Sequence, residues 1–521
     1  MDTLLNKVGT LVNSTITGFD RIVFKGIICP IVYSAGMTSF LVSQQVLNKN
    51  FKDWAQAQSK LIVESAENLS QKECGCKVEY IPSLNTRKEG LAHARQNERG
   101  VSNGLIGVWS CVESCNTFKS AFDPGKTYPA LRFERSRCKH LYFYFDDPVY
   151  GFMSIRLQTW APYEVQVALN GREWLARSLD AAGCSHIKMG NKFLHIDDYG
   201  LAQQFLDNQA TVDFKEVLDG FLPTVFPCMK EVLGPALSYY WTYWQTEVAK
   251  DYIFKDAVDL ESLMYDLQLH ALITGKGDRV LKYFGSPVKA DGTPRKGAGP
   301  QIVSKTNSWY DGLRVRHWCD KNSVKFYNEH NVLRFEMTMN NPARFKIYRH
   351  TEGQDKSEPK KLLPMRKGVA DTKARFGVSK DAINRFTEHM SAFEQKERLG
   401  SVLSLTASPL MSGGKKFRAV DTFGKDRDLL AAISDPAFDV CAITNKGLQE
   451  ALKTKPWAKG MSGKQLSSRI SRHLRLLREH GLIKKLPNQR KYTLTDKGRK
   501  LTAAADAALA ASINDLLKLA A

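Results

Sequence analysis

Twice along this chain the hydrophobic pattern switches to strict alternation, and a two-residue period over consecutive short segments predicts half-buried antiparallel strands. The first block holds Cys138–Phe145, Phe152–Thr159 and Tyr163–Leu169, joined by the turn Asp146-Asp147-Pro148-Val149-Tyr150-Gly151 and by Ala161-Pro162. The second predicts strands near 302–307, 313–318, 322–328 and 332–339, entered from a basic, glycine- and proline-rich stretch, Gly285 to Pro300. Between the blocks a helix is expected from Glu173 to Ala182, after Asn170-Gly171, and residues 197–283 read as mostly helical, broken by the aromatic run Tyr239 to Trp244. Upstream, the pattern gives a short strand at Asp20–Lys25, helices around 38–70 and 87–98, and strands near Lys77–Ile81 and Gly104–Val112. No glycine-rich phosphate loop follows any of these strands, so no nucleotide or organic cofactor is indicated.

Charge narrows the class of partner. The 521 residues carry 75 Lys and Arg against 54 Asp and Glu, a net +21, within a composition of 43% hydrophobic and 25% charged residues. That balance belongs to a globular protein of about three domains and excludes a mainly disordered chain or a membrane bundle. Neither a signal peptide nor a membrane segment is read, and the ten cysteines are too scattered for a disulfide scaffold, so a reducing cytoplasm is expected. A protein of this charge in that compartment most often neutralises phosphates, which puts nucleic acid ahead of an acidic protein as partner.

Most of the excess is local. Residues 451–500 hold fifteen basic and two acidic side chains, about two-thirds of the net charge. Helices are expected at Asp426–Ile433, Asn445–Lys453 and Gly463–His480, followed by two short strands, Leu482–Leu486 and Lys491–Thr495, and a last helix from Asp496. In the third helix Leu466, Ile470, Leu474 and Leu477 form the buried stripe, and Gly481 ends it. The run SSRISRHLRLLREHGLIKKLPNQRKYTLTDKG resembles the recognition helix and wing of MarR- and ArsR-like winged-helix proteins. The basic helix face then points to DNA or structured RNA, with Lys464, Ser468, Arg469, Arg472 and Arg475 as nucleic-acid-binding candidates, base-edge contacts from the helix start, and phosphate contacts from Lys484, Lys485, Arg490 and Lys491. Those regulators are dimers; the alanine-rich tail, Ala503 to Ala521, either supplies an oligomerisation helix or packs locally. The expected organisation is thus α+β: an α/β region at 1–135, an antiparallel β-rich and helical body at 136–400, a linker at 401–425 and a winged-helix domain at 426–521. Within the body, a helix capped by Ser379 presents Ile383, Phe386, Met390 and Phe393 on one face.

Candidate chemistry lies on the polar faces of the strands. In the first block His140, Tyr142 and Tyr144 share a face with Ser154, Arg156 and Gln158, which is either solvated or helix-covered, or built to hold a polar ligand such as a base and its phosphate. In the second, Val324, Phe326, Leu333, Phe335 and Met337 point to a core, while Lys325 and Tyr327 oppose Arg334, Glu336 and Thr338. This Lys-x-Tyr and Arg-x-Glu pair is similar to one in replication-initiator proteins of rolling-circle plasmids and filamentous phages, which nick DNA through a tyrosine; their His-hydrophobic-His motif is missing here. The alternative is a surface hairpin with a cross-strand Lys–Glu pair. Distant acids could also converge: Asp20, Glu247 and Glu336 are the first combination for Mg²⁺ or Mn²⁺, with Asp146 next, although Asp146-Asp147-Pro148 equally serves a turn. Glu247 and Asp251 would share a face if their segment is helical. The pairs Cys74/Cys76 and Cys111/Cys115, and Cys138 with His140, lack zinc-knuckle spacing and read as inert.

Together, VRHWCDKNSVKFYNEHNVLRFEMTMNNPARFKIYR, LQTWAPYEVQVALNGREWLARSLDAAG and the C-terminal module resemble a widespread bacterial family of mobile-element type to which no activity is assigned. The expectation is a DNA-binding protein docked by its winged helix, whose body carries out metal-dependent phosphodiester cleavage or strand transfer. Asp20, Asp146, Glu247, Glu336 and Tyr327 are then the catalytic candidates, and Arg156, Lys325 and Arg334 sit on phosphate. A non-enzymatic winged-helix regulator, or a protein that binds a structured RNA, stands as the alternative.

Overall fold

The computed structural model describes residues 2–82, 86–125, 127–286, 301–309, 312–351, 353, 355, 357–393, 399–404 and 406–512. The fold is mixed α and β, built on an eleven-stranded sheet. In chain order its strands are β1 (Val12–Ile27), β2 (Glu79–Tyr80), β3 (Gly104–Ala121), β4 (Ala130–Asp147), β5 (Gly151–Gln158), β6 (Val165–Asn170), β7 (Tyr240–Phe254), β8 (Ile302–Trp309), β9 (Gly312–Cys319), β10 (Asn322–Glu329) and β11 (Val332–Met339). Across the sheet they run β8-β9-β10-β11-β7-β1-β6-β5-β4-β3-β2. The two alternating blocks are therefore the two flanks, and β1 and β7 are the centre.

Three sequence expectations change here. Strand β4 runs without interruption through residues 135 and 136, so the α/β region and the first alternating block share one sheet. The aromatic run at 239–244 does break the helical block, but as the start of β7, a fifteen-residue strand that buries every residue from Val248 to Phe254. Its near-continuous burial removes the alternation by which a strand is recognised. Glu247 and Asp251 accordingly lie on a strand, about 13 Å apart along it at 3.3 Å per residue, and not on one helical turn.

The chain forms two compact units, residues 16–249 with 338–377, and residues 1–15 with 250–337 and 378–521. Of the four divisions, those at 15/16, 249/250 and 337/338 fall inside continuous strands, β1, β7 and β11, and that at 377/378 falls inside the helix Thr372–Met390. In the first unit, helix α1 (Phe51–Cys74) lays Ala55, Ile62, Ala66 and Cys74 inward, and α2 (Lys88–Arg99) buries Ala92 in a small cluster with Trp109 and Tyr144. The polar face of β4 and β5 is thus covered at Tyr144, while Tyr142, Ser154 and Arg156 on the same face stay half-buried. Helix α3 (Gly171–Ala181) follows β6 directly, its first turn capped by Asn170, whose side chain accepts from the Arg172 and Glu173 amides.

In the second unit, α4 (Thr372–Met390) begins seven residues before the expected cap at Ser379, and from Val378 onward it buries Ile383, Phe386 and Met390 beside Phe326 and Phe335. Val324, Phe326, Leu333, Phe335 and Met337 are all fully buried, as their alternation requires. The C-terminal module contains α5 (Arg427–Ile433), a short extra helix α6 (Pro436–Cys441), α7 (Asn445–Leu452), α8 (Gly463–Glu479), a hairpin of Ile483–Lys485 with Tyr492–Leu494, and α9 (Asp496–Ala510). Leu466, Ile470, Leu474 and Leu477 of α8 meet Leu482, Leu494 and Leu501 in its core. Residues 401–425 do not form a free linker: they carry a small hairpin, Leu410–Ser412 with Lys415–Phe417, and Val402 and Val420 enter that same core. The Thr-Asp-Lys-Gly start of α9 has a geometric cause. Thr495 accepts from the Gly498 amide, and a Cβ on Gly498 would stand 2.0 Å from the Leu482 carbonyl oxygen. Of the tail, Ala505 is buried, as is Leu501 one turn earlier in α9; Gly285–Pro300 from 287 on, and residues 513–521, lie outside the described residues. Among the described residues no helix is long and apolar enough to cross a membrane, and all ten cysteines are free thiols.

Candidate active site

The centre of the sheet brings separated acids together. Asp20 lies on β1, Glu247 on β7 and Glu336 on β11, three neighbouring strands, and one carboxylate oxygen from each lies within 4.8 Å of the others. No other group of three or more His, Cys, Asp or Glu side chains reaches this proximity among the described residues, the cysteines and His140 included. Asp20 and Glu336 are buried, at 5% and 1% exposure, and Glu247 is half-buried. Each pair of like charges at this separation repels by about 3 kcal/mol at an effective dielectric constant of about 20, so the arrangement needs positive charge.

The chain supplies part of it. Gly171 lets α3 start against β1: a Cβ there would stand 2.3 Å from the Phe19 carbonyl oxygen. This close approach sets the fully buried Arg172 with its Nε 3.9 Å from Asp20 Oδ1, while its Nη2 donates to the Ala249 carbonyl at 2.9 Å. On the other side, Lys325 Nζ of β10 lies 2.6 Å from Glu336 Oε1, and the Tyr327 hydroxyl donates to Glu336 Oε2 at 3.4 Å. The Arg314 guanidinium covers the Tyr327 ring at 4.5 Å. Tyr327 is only 5% exposed and engaged with Glu336, a position suited to orienting that carboxylate and not to reaching a phosphorus atom as nucleophile.

The donor set fits a small hard cation. Three carboxylates offer oxygen ligands, and an octahedral Mg²⁺ with bonds of about 2.1 Å spaces its ligands by about 3.0 Å where they are adjacent and about 4.2 Å where they are opposite, so the three side chains would have to draw closer together to share one ion. One further feature belongs with it. A cleft of about 320 Å³ opens beside Glu247, lined by Arg21, His93, Phe152, Ser154 and Asn191 among others. Ser154 and Glu247 were legible as polar-face and acidic candidates, but Arg21, His93, Phe152, Asn191 and Arg172 escaped sequence reasoning because their proximity depends on strand order; the Asn170-Gly171 helix start was the one local signal nearby.

Other expected residues lie elsewhere. Asp146 does not join the group: its buried carboxylate pairs with Arg177, and Asp147 accepts from the Val149 and Tyr150 amides, which is turn chemistry. Arg334 is corrected most clearly. It is 1% exposed and donates through Nε and Nη2 to both oxygens of Asp251 at 2.6 and 2.8 Å, so its fork is spent on an internal carboxylate and not presented to phosphate. Arg156 lies 3.3 Å from Glu113, which also takes Lys88 at 3.0 Å. Tyr142, Lys88 and Arg156 together hold the Glu113 carboxyl below its usual range despite burial.

On α8, Lys464, Ser468, Arg472 and Arg475 are exposed, as are Lys484, Lys485, Arg490 and Lys491 of the hairpin. Arg469 differs: its guanidinium stacks over Trp457 at 4.1 Å and donates to the Trp457 carbonyl at 3.0 Å, so it braces the module instead of facing outward. No protein-family model, curated protein or solved structure matches this chain.

Proposed function

We propose that this protein is a metal-dependent DNA-processing enzyme that cleaves or transfers a phosphodiester, docked on DNA by its C-terminal module acting as a winged helix. The observation that carries the reading is the convergence of Asp20, Glu247 and Glu336, three acids from positions far apart in sequence, beside a cleft. Mg²⁺ or Mn²⁺ held by these carboxylates would activate an attacking water and neutralise charge developing on the phosphate. Arg172 would fix Asp20, and Tyr327 would orient Glu336. Lys325, on a flexible stem, would transfer from Glu336 to a phosphate oxygen once a cation takes its place. The exposed cations of α8 and the hairpin support the docking role, since they can neutralise phosphates without first breaking internal pairs.

The test is nicking of supercoiled plasmid and cleavage of labelled single-stranded and duplex DNA by the full-length protein with Mn²⁺ or Mg²⁺. Glu336→Gln and Asp20→Asn are each expected to reduce the rate by at least the roughly 100-fold that loss of an outer-shell partner alone can cost a metal site. Absence of cleavage on all these substrates overturns the reading. A second reading, a non-enzymatic winged-helix regulator, is favoured by one observation: Lys325 and Arg172 already bring positive charge to two of the three acids. It would be supported by duplex binding without any metal-dependent cleavage.

A further inference from the structure

We infer that the cleft beside Glu247 binds one unpaired nucleotide of a DNA strand, so that the substrate enters the site single-stranded or with a base turned out of the duplex. The inference deepens the proposed function and rests on it. At about 320 Å³ the cleft has room for a single small ligand and none for a double helix about 20 Å across. Its walls have the three chemistries that a nucleotide presents. His93 and Phe152 stack at 3.9 Å with an 18° interplanar angle, forming a short aromatic pile on which a base can continue. Arg21 lies 3.8 Å from Glu89, and both side chains are about half exposed, so this weak pair can yield the guanidinium to a phosphate. The Ser154 hydroxyl, at the middle of β5 where its neighbours in register are Tyr144 and Ala168, offers a donor and an acceptor to a base edge or sugar. Glu247 links this cleft to the acidic group, which puts the phosphate of a bound nucleotide next to the candidate metal. A base in a duplex is stacked on both sides and cannot meet the His93–Phe152 pile, which is why the strand must present it unpaired.

The experiment measures fluorescence anisotropy of fluorescein-labelled dT20 and of a blunt 20-base-pair duplex with full-length protein, in EDTA and about 0.2 M salt, where purely phosphate-driven binding is weakened. Ser154→Trp fills the cleft and is expected to weaken dT20 binding 10-fold or more with duplex affinity unchanged. His93→Ala removes the stacking end and is expected to cost about 5-fold or more on dT20, and it carries the test if the tryptophan variant misfolds. Unaltered dT20 affinity in the folded variants overturns the inference, and so does rU20 binding that exceeds dT20 and is lost in the same variants, which would assign the cleft to RNA. Failure of the catalytic reading is separable: a wild-type protein that cuts nothing with Mn²⁺ while its variants lose dT20 binding refutes the enzyme and keeps the cleft. Cleavage by Ser154→Trp at the wild-type rate, with wild-type dT20 affinity, refutes the cleft alone.

Discussion

Lys325 and Glu336 form an ion pair at 2.6 Å, with side chains 13% and 1% exposed, on the neighbouring strands β10 and β11. Burying a carboxylate of this kind is costly unless a cation stays beside it. If that cation can be either the lysine or a metal, the two should compete for one place.

Lys325→Met leaves Glu336 uncompensated, and removing one partner of a buried pair costs about 3–5 kcal/mol. The expected result is a large fall in melting temperature that millimolar Mn²⁺ restores in part, so the thermal shift given by Mn²⁺ exceeds that of the wild type. Glu336→Gln should show no such Mn²⁺ shift. Equal shifts in all three proteins would show that no metal binds at Glu336.

The Asp251–Arg334 pair predicts a different outcome from a phosphate contact. Arg334→Gln strands the fully buried Asp251, and about 3–5 kcal/mol of stability should be lost in urea unfolding. Arg334→Met with Asp251→Leu, which removes both charges, should recover much of it. A phosphate-binding arginine would instead lower DNA affinity with stability nearly intact.

What could be read in the sequence follows from which signals are local. The strands at 313–319, 322–329 and 332–339 were legible because each alternates, and the α8 stripe because Leu466, Ile470, Leu474 and Leu477 repeat at helical spacing. Strand β7 was not, because a strand buried on both faces and rich in Tyr and Trp carries no two-residue period. Asp20, Glu247 and Glu336 could be named as acids able to converge, but their meeting depends on the order β11-β7-β1, which no local pattern encodes. Arg334 was misjudged for the same reason: its partner Asp251 sits on that unrecognised strand.

Acid should destabilise the fold through three histidines. Burial pushes His270 and His317 down to about 4, and burial, with help from the nearby His270, Arg279 and Lys282, holds His389 well below its ordinary range. In the folded chain these rings are neutral, whereas in the unfolded chain they take up protons near pH 6.5. The unfolded state therefore binds more protons as pH falls, and the stability present above about 6.5 is lost between there and about 4, by up to about 1.4 kcal/mol per pH unit per histidine. Urea unfolding at pH 7.5, 6.0 and 5.0 should show this decline, and His317→Gln should make it shallower. A slope unchanged by that substitution would place the acid sensitivity elsewhere.

The C-terminal module offers a prediction in which packing and docking separate. Lys484, Lys485, Arg490 and Lys491 are exposed around the hairpin, while Arg469 is committed to Trp457 through its ring face and its carbonyl. If the hairpin cations lie on DNA phosphates, each releases about 0.9 counterion, and alanine at all four should reduce the slope of log affinity against log salt by about 3.6 without a change in melting temperature. Arg469→Ala should do the reverse, lowering stability by about 1–2 kcal/mol through loss of the cation–π contact and hydrogen bond, with the salt slope preserved in the folded fraction. Duplex binding titrated from 50 to 300 mM salt, alongside thermal unfolding of the same full-length variants, checks both. A fourfold hairpin variant with the wild-type salt slope would remove the hairpin from the DNA interface and leave the exposed cations of α8, Lys464, Arg472 and Arg475, as the remaining docking face.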